Sequence, residues 1–301
     1  MTERIAAIDI GTNSTKMTVG EVDNGSVSPI LETSETTRLG KGVDASGKLD
    51  PEAIKRTVEA VVRFHEQAKD LGADRVLAAG TSALRDAANG KDFLDDVHAK
   101  TGITVVIITG DREANLAYSA IKSDSSITLS QDSENVVFDI GGGSTELIVG
   151  TKDAVARFQS LNIGAVRLTE RLLRSDPPTD EEVKRVREEA ARAIAEFGPP
   201  KAQSVVGIGG TAVNVAAVVK GSNEDLHGAV VTGEQLRETI ALFLSKTLEE
   251  RRKLPGLEPA RADVIAAGAI ILDELLNATG ASSFTVSVRG LRFGLIASAI
   301  H

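Results

Sequence analysis

One stretch of this chain occurs twice, and it constrains the fold more than anything else in the sequence. Residues 9–20 read Asp-Ile-Gly-Thr-Asn-Ser-Thr-Lys-Met-Thr-Val-Gly, and residues 139–150 read Asp-Ile-Gly-Gly-Gly-Ser-Thr-Glu-Leu-Ile-Val-Gly. Asp, Ile, Gly, Ser, Thr, Val and Gly fall at the same places in both. Each copy follows an apolar run and leads into an alternating one, the pattern of a strand, a tight turn and a returning strand. The offset is 130 residues, from position 9 to position 139, far longer than a solenoid or propeller repeat. The expectation is two similar domains, each offering one hairpin to a shared cleft.

Glycine-rich turns of this kind have a chemical use. With no Cβ in the way, backbone N–H groups can turn inward and meet phosphate oxygens. A carboxylate at the strand end, Asp9 or Asp139, repels phosphate but can hold a divalent cation that binds it. Either copy alone has a plain conformational explanation, because Asp and Gly are favoured in turns. The repetition is what points to function.

Composition removes several alternatives. There is no cysteine, which excludes disulfides, thiolate catalysis and cysteine-ligated metal. The four histidines, His65, His98, His227 and His301, never approach ligand spacing, so zinc is not expected. Net charge is −9 and aromatics make up 3% with no Trp, a poor supply for nucleic-acid binding. The N-terminus enters a strand without a signal segment, and Val264 to Leu272 is too short to span a bilayer. A cytoplasmic protein without a membrane partner is expected.

Along the chain, Ile5–Ile10 and Lys16–Val22 read as the first hairpin, with a third strand over Val27–Leu31. Asp50-Pro51 starts a helix with the stripe Ile54, Val58, Val61, Val62, Ala68 and Leu71. Arg75–Ala79 reads as a strand leading to Gly80-Thr81-Ser82-Ala83-Leu84-Arg85, with Thr81 or Ser82 as helix cap. Arg85 is then either a surface residue paired with Asp86 or a phosphate clamp near a helix N-terminus. Ile103–Ile108 reads as a strand that delivers Glu113 to the first turn of a helix. The helix dipole explains an acid there, and so does catalysis beyond a strand's carboxyl end.

Ser123 to Ser133 is a polar boundary, and Phe158–Ile163 continues the second sheet into a Gly164-capped helix. Asp180–Phe197 follows as an amphipathic helix. Gly207-Ile208-Gly209-Gly210-Thr211 reads as a strand-to-helix turn, suited to phosphate or nucleoside contact but out of order for a nicotinamide site. Helices are expected over Gly233–Leu254 and Arg261–Leu276, with Gly268 allowing close packing, and a last strand over Phe284–Val288.

The paired hairpins resemble those of the actin/hexokinase/heat-shock-70 superfamily. Within it the chain is similar to the exopolyphosphatase and guanosine pentaphosphate phosphohydrolase family. The resemblance rests on 9–14, 81–85, 110–114, 139–146, 160–164, 207–211 and Arg289-Gly290, in family order over nearly the whole chain. It implies an α/β fold of two duplicated actin-like, ribonuclease-H-like domains facing a central cleft. The first domain would be residues 1–122 joined by the C-terminal helix 291–301, and the second 123–290.

The implied activity is hydrolysis of the terminal phosphoanhydride of inorganic polyphosphate with Mg²⁺ or Mn²⁺. Glu113 would orient or deprotonate water, and Arg85 would hold phosphate. Asp139 and Glu146 would be the metal-side acids, with Asp9 assisting and Glu146 also counted with the catalytic groups. Gly11, Thr12, Asn13, Ser14, Gly141, Gly142, Gly143 and Ser144 would contact phosphate, joined by Gly209, Gly210 and Thr211. The resemblance suggests a homodimer and a short form, because the chain stops at His301 where long members carry a further helical domain. The chain departs from the family's acid-rich segment before Glu113 at Arg112, which would sit near substrate. The alternatives are hydrolysis of guanosine pentaphosphate, a sugar kinase, and a non-catalytic sensor of polyphosphate or guanosine alarmones.

Overall fold

A computed structural model describes residues 3–23, 26–131, 133–151, 154–202 and 204–299. The backbone forms two compact units, 1–123 with 290–301, and 124–289.

In the first unit, β1 (Glu3–Ile10), β2 (Thr15–Asp23) and β3 (Ser26–Glu35) make an antiparallel meander. There follow α1 (Val43–Ser46), α2 (Pro51–Asp70), β4 (Arg75–Gly80), α3 (Ser82–Asp86), α4 (Gly90–Thr101), β5 (Val105–Ile107) and α5 (Gly110–Lys122). The sheet order is β3-β2-β1-β4-β5, with β4 parallel to β1 and β5 parallel to β4. Asp50 caps α2 by accepting from the Ala53 N–H at 3.0 Å, as Asp-Pro implies. The helix buries Ile54, Val58, Val61, Phe64 and Ala68 against β1 and β2.

The second unit opens with the matching meander, β6 (Asn135–Ile140), β7 (Thr145–Gly150) and β8 (Val155–Leu161). Then come α6 (Ala165–Leu172), α7 (Asp180–Phe197), β9 (Ser204–Ile208), α8 (Gly209–Lys220), β10 (Val230–Thr232), α9 (Gly233–Leu244), α10 (Leu248–Arg251), α11 (Ile265–Thr279) and β11 (Ser283–Val286). Read from β8, the order β8-β7-β6-β9-β11 repeats that of the first sheet, and β10 adds an edge. The rings of Phe138 and Phe284 meet at 5.8 Å beneath this sheet, which holds β6 and β11 to one core. Helix α12 (Leu291–Ser298) belongs to the first unit, where it packs on α5 and β1.

Several expectations change. Strand β3 runs on to Glu35, while the β-branched run 103–108 pairs over only three residues. The expected helix 233–254 stops at Leu244, because Thr247 and Glu250 form a reciprocal capping box that starts α10. Similarly, 261–276 begins as a 3₁₀ turn at Pro259–Arg261 before α11. Gly268 does permit close packing, since a Cβ there would sit 2.8 Å from Thr211 Cγ2. Strand β10 and helices α1 and α4 were not foreseen. Residues 300–301 of the expected last helix lie outside the described residues. Among those described, no helix is long and apolar enough to cross a membrane.

Candidate functional site

The two hairpin turns have the same backbone. Gly11 N–H donates to Ser14 O at 3.1 Å, and Gly141 N–H donates to Ser144 O at 2.9 Å. In both, protein donors take up the turn's carbonyls. Gly40 N–H and Arg38 N–H, each at 2.9 Å, donate to Thr12 O and Asn13 O. In the second turn Ala165 N–H donates to Gly141 O at 2.9 Å, and the N–H groups of Val166 and Arg167 donate to Gly142 O. Arg167 Nε adds a bond to Gly143 O at 2.7 Å. Among the described residues no protein acceptor takes the N–H groups of Thr12, Asn13, Gly142 or Gly143. A turn whose acceptors are used and whose donors are not is arranged for an anion.

The side chains at the strand ends differ between the copies. Asp139 is the register partner of Glu146 across β6 and β7, so two carboxylates stand side by side on one face. Glu146 is buried, and its Oε1 accepts from Ser144 Oγ at 2.8 Å and Ser160 Oγ at 2.7 Å. Gly209, at φ +79°, leaves room for the Asp139 carboxylate; a Cβ there would overlap Oδ1. These hard oxygen donors fit Mg²⁺ or Mn²⁺. No group of three or more metal-ligating side chains occurs among the described residues, so water and phosphate would complete the shell.

Asp9 faces Lys16 instead. Its Oδ1 is out of contact with water and has no hydrogen bond. Burial pushes the Asp9 carboxyl up from its ordinary value, against the opposing pull of Lys16 and Arg292.

Glu113 lies buried in the first turn of α5, where Thr109 caps the helix through Arg112 N–H at 3.2 Å. Arg85 Nη1 donates to Glu113 Oε2 at 2.7 Å and to Ile108 O at 2.9 Å. The arginine is thus partly buried and bound to the glutamate. Arg112 is exposed on the same turn. The structure therefore joins Arg85 to Glu113, and Glu146 to Ser144. Thr211, at the start of α8, donates from Oγ1 to Ile140 O at 3.0 Å, which ties the Gly209-Gly210 turn to the second hairpin. Thr81 does not cap α3 with its side chain; its hydroxyl reaches Ile10 O at 3.5 Å instead.

Two side chains at the second hairpin escaped the sequence reading. Ser160 reaches Glu146 from β8, and the stretch 160–164 was the signal available. Arg261 lies over Gly210, where only glycine leaves space for its guanidinium, and Glu258 Oε2 accepts from its Nε at 2.9 Å. Nothing in the local pattern announces it.

Comparison with known proteins agrees with this geometry. The model of the Ppx/GppA phosphatase family matches residues 18–301. Exopolyphosphatase 2 of Mycobacterium tuberculosis is 35% identical over 98% of this chain and 98% of its own. The crystal structure of the Aquifex aeolicus Ppx/GppA family member covers 100% of this chain and 98% of its own, at 34% identity and a TM-score of 0.83. The fold is shared as well with an exopolyphosphatase from Cytophaga hutchinsonii, at 24% identity and a TM-score of 0.88 over 99% and 98% of the two chains. The actin-like fold is thereby established.

Proposed function

We propose that this chain, which belongs to the Ppx/GppA phosphatase family, removes the terminal phosphate of inorganic polyphosphate with the help of Mg²⁺ or Mn²⁺. The observation that carries the reading is the second hairpin, where unaccepted N–H groups of Gly142 and Gly143 adjoin the paired acids Asp139 and Glu146. Phosphoryl transfer needs little covalent help; it needs positioning and charge stabilisation.

In this reading the N–H groups of Gly142 and Gly143 bind phosphate oxygens, and the hydroxyl of Ser144 keeps Glu146 in place. Asp139 and Glu146 would hold the ion, whose charge would offset that on the phosphoanhydride oxygens. Glu113 orients the attacking water and takes its proton as the new P–O bond forms and the anhydride bond breaks. Arg85 holds Glu113 through its 2.7 Å bond, an arrangement that supports a fixed rather than a wandering base.

The test is orthophosphate release from short and long polyphosphates and from guanosine pentaphosphate, with Mg²⁺ and with chelator. Glu113→Gln is expected to fold, to melt somewhat lower because the ion pair with Arg85 is lost, and to lose turnover on the order of 10²–10⁴. Near-wild-type release by that variant removes Glu113 from the role. Release from guanosine pentaphosphate alone moves the reading to the alarmone, and binding without release moves it to a sensor.

A further inference from the structure

Each meander ends in an edge strand, β3 in the first sheet and β8 in the second. An edge strand has one neighbour, so part of its backbone faces outward, and folds commonly cover or blunt it. The first unit ties its edge to a helix. Glu35, the last residue of β3, accepts from Arg63 Nε of α2 at 3.0 Å, and Arg56 of the same helix reaches Thr37 O at 3.4 Å. The equivalent of Glu35 in β8 is Leu161, since Thr15 pairs with Glu35 as Thr145 pairs with Leu161. Leu161 offers no charge for a helix to hold.

Here the second unit is open. A cavity of about 330 Å³ lies between residues 159–163 and helix α7. Its helix wall is Glu189, Arg192, Ala193 and Glu196, spaced i, i+3, i+4, i+7 and so on one face. At one end Arg171 of α6 is bonded to Glu189 at 2.7 Å, and past the other Arg157 of β8 donates to Phe197 O at 2.8 Å. Between these ties, Arg192 and Glu196 stand four residues apart, the spacing of a helix ion pair. Yet neither side chain bonds to the other or to any described residue. Among the described residues the backbone of 159–161 has no partner except β7. The spacings match as well. Four helical residues rise about 6 Å, and alternate residues of an extended chain are about 6.6 Å apart.

We propose that the groove between β8 and α7 is a strand-addition site for an extended peptide segment of a protein partner. The segment pairs with the outer edge of β8 and turns toward α7 an acid and a base two residues apart, which meet Arg192 and Glu196. Main-chain bonds supply the affinity, and the two charges choose the sequence. Because α7 stands along the strand, the space takes one extended chain rather than the edge of another sheet. The site also adjoins the second hairpin: Ser160, in the paired stretch, donates to Glu146 Oε1 at 2.7 Å. A bound strand would therefore steady the segment that holds this acid.

The experiment selects short random peptides displayed on phage against the immobilised full chain, then follows amide hydrogen exchange of the chain with the selected peptides added free. Peptides with an acid and a base two residues apart are expected, and they should slow exchange at 159–163. Arg192→Glu, a change at an exposed residue whose folding circular dichroism checks, should weaken them by roughly tenfold. A peptide with its acid replaced by lysine should recover that loss on the variant. Selection that yields no peptide overturns the proposal. So does protection elsewhere in the chain, or equal binding by wild type and Arg192→Glu. Sedimentation that shows a dimer of the chain, dissolved by Arg192→Glu, assigns the groove to a second copy and overturns it too.

Discussion

Asp9 and Asp139 occupy the same place in two copies of one turn, but one stands opposite a lysine and the other opposite a glutamate. The backbone bonds that close the turns are nearly alike, 3.1 Å and 2.9 Å from glycine N–H to serine carbonyl. Duplication has thus kept the same turn backbone in both units, with Lys16 in one and Glu146 in the other at the register position across from the aspartate. Under the proposed function grip and ion binding are separable. Grip would come from the N–H groups of the turn, and ion binding from the acid across the strand pair.

The sharpest way to break this comparison is to neutralise each aspartate in turn. Asp139→Asn should lower turnover on the order of 10²–10³, the cost of removing one preorganised electrostatic group. Without metal, the same change should raise the melting temperature, because like charges directly opposite across a strand pair are destabilising. Asp9→Asn should also raise the melting temperature, since burial outweighs the pull of Lys16 and Arg292 and pushes the Asp9 carboxyl up. Thermal melts in chelator, followed by phosphate release in Mg²⁺, check both. A fall in melting temperature for Asp9→Asn would mean that the pull of Lys16 and Arg292 outweighs the burial of its carboxyl.

A smaller effect sharpens the role of the serines. Ser160→Ala removes one of the two hydroxyls on Glu146 Oε1 and should weaken ion affinity by roughly 10- to 100-fold, as loss of a group that orients a ligand does. Its counterpart Ser34→Ala should change ion binding not at all, because Ser34 is exposed opposite Lys16. Mn²⁺ titration of both variants is the measurement. Equal losses would mean that the serine positions act through strand stability instead.

Much of this was visible in the sequence because it is local. The repeat announces both hairpins, and the strand-to-helix position of Glu113 follows from a β-branched run meeting Thr109-Gly110. What sequence does not carry is register. Ser160 reaches Glu146 because β8 pairs with β7 at that offset, after a shift between Val149 and Gly150 that no pattern shows. Arg292 reaches the Asp9 cluster only because the chain returns to its first unit after residue 289. Even a local signal can lose: Thr247 and Glu250 form a capping box, but the apolar spacing of 233–254 reads as one helix across it. The run at 103–108 fails as a six-residue strand for a simple reason. Val105 to Ile107 pair with β4, Ile108 adds a single bond to Gly80 O at 3.0 Å, and Val106 stays 57% exposed.

The smallest expected difference lies at the threonines behind the turns. Thr211 Oγ1 donates to Ile140 O at 3.0 Å, whereas Thr81 Oγ1 reaches Ile10 O only at 3.5 Å, the outer limit of a hydrogen bond. Moreover, Ile10 O already accepts from the Thr81 backbone N–H at 3.2 Å, so loss of the hydroxyl does not strand it. Threonine and valine have nearly the same shape, and the exchange tests the hydroxyl alone. Thr211→Val should therefore cost about 1 kcal/mol, the net value of a typical intramolecular bond. Thr81→Val should cost a fraction of that. Denaturant unfolding of the two variants against wild type measures the gap. If Thr81→Val proves the more costly, the second turn does not depend on its helix for support, and the closer attachment of Gly209 and Gly210 to the Asp139 hairpin loses its energetic basis.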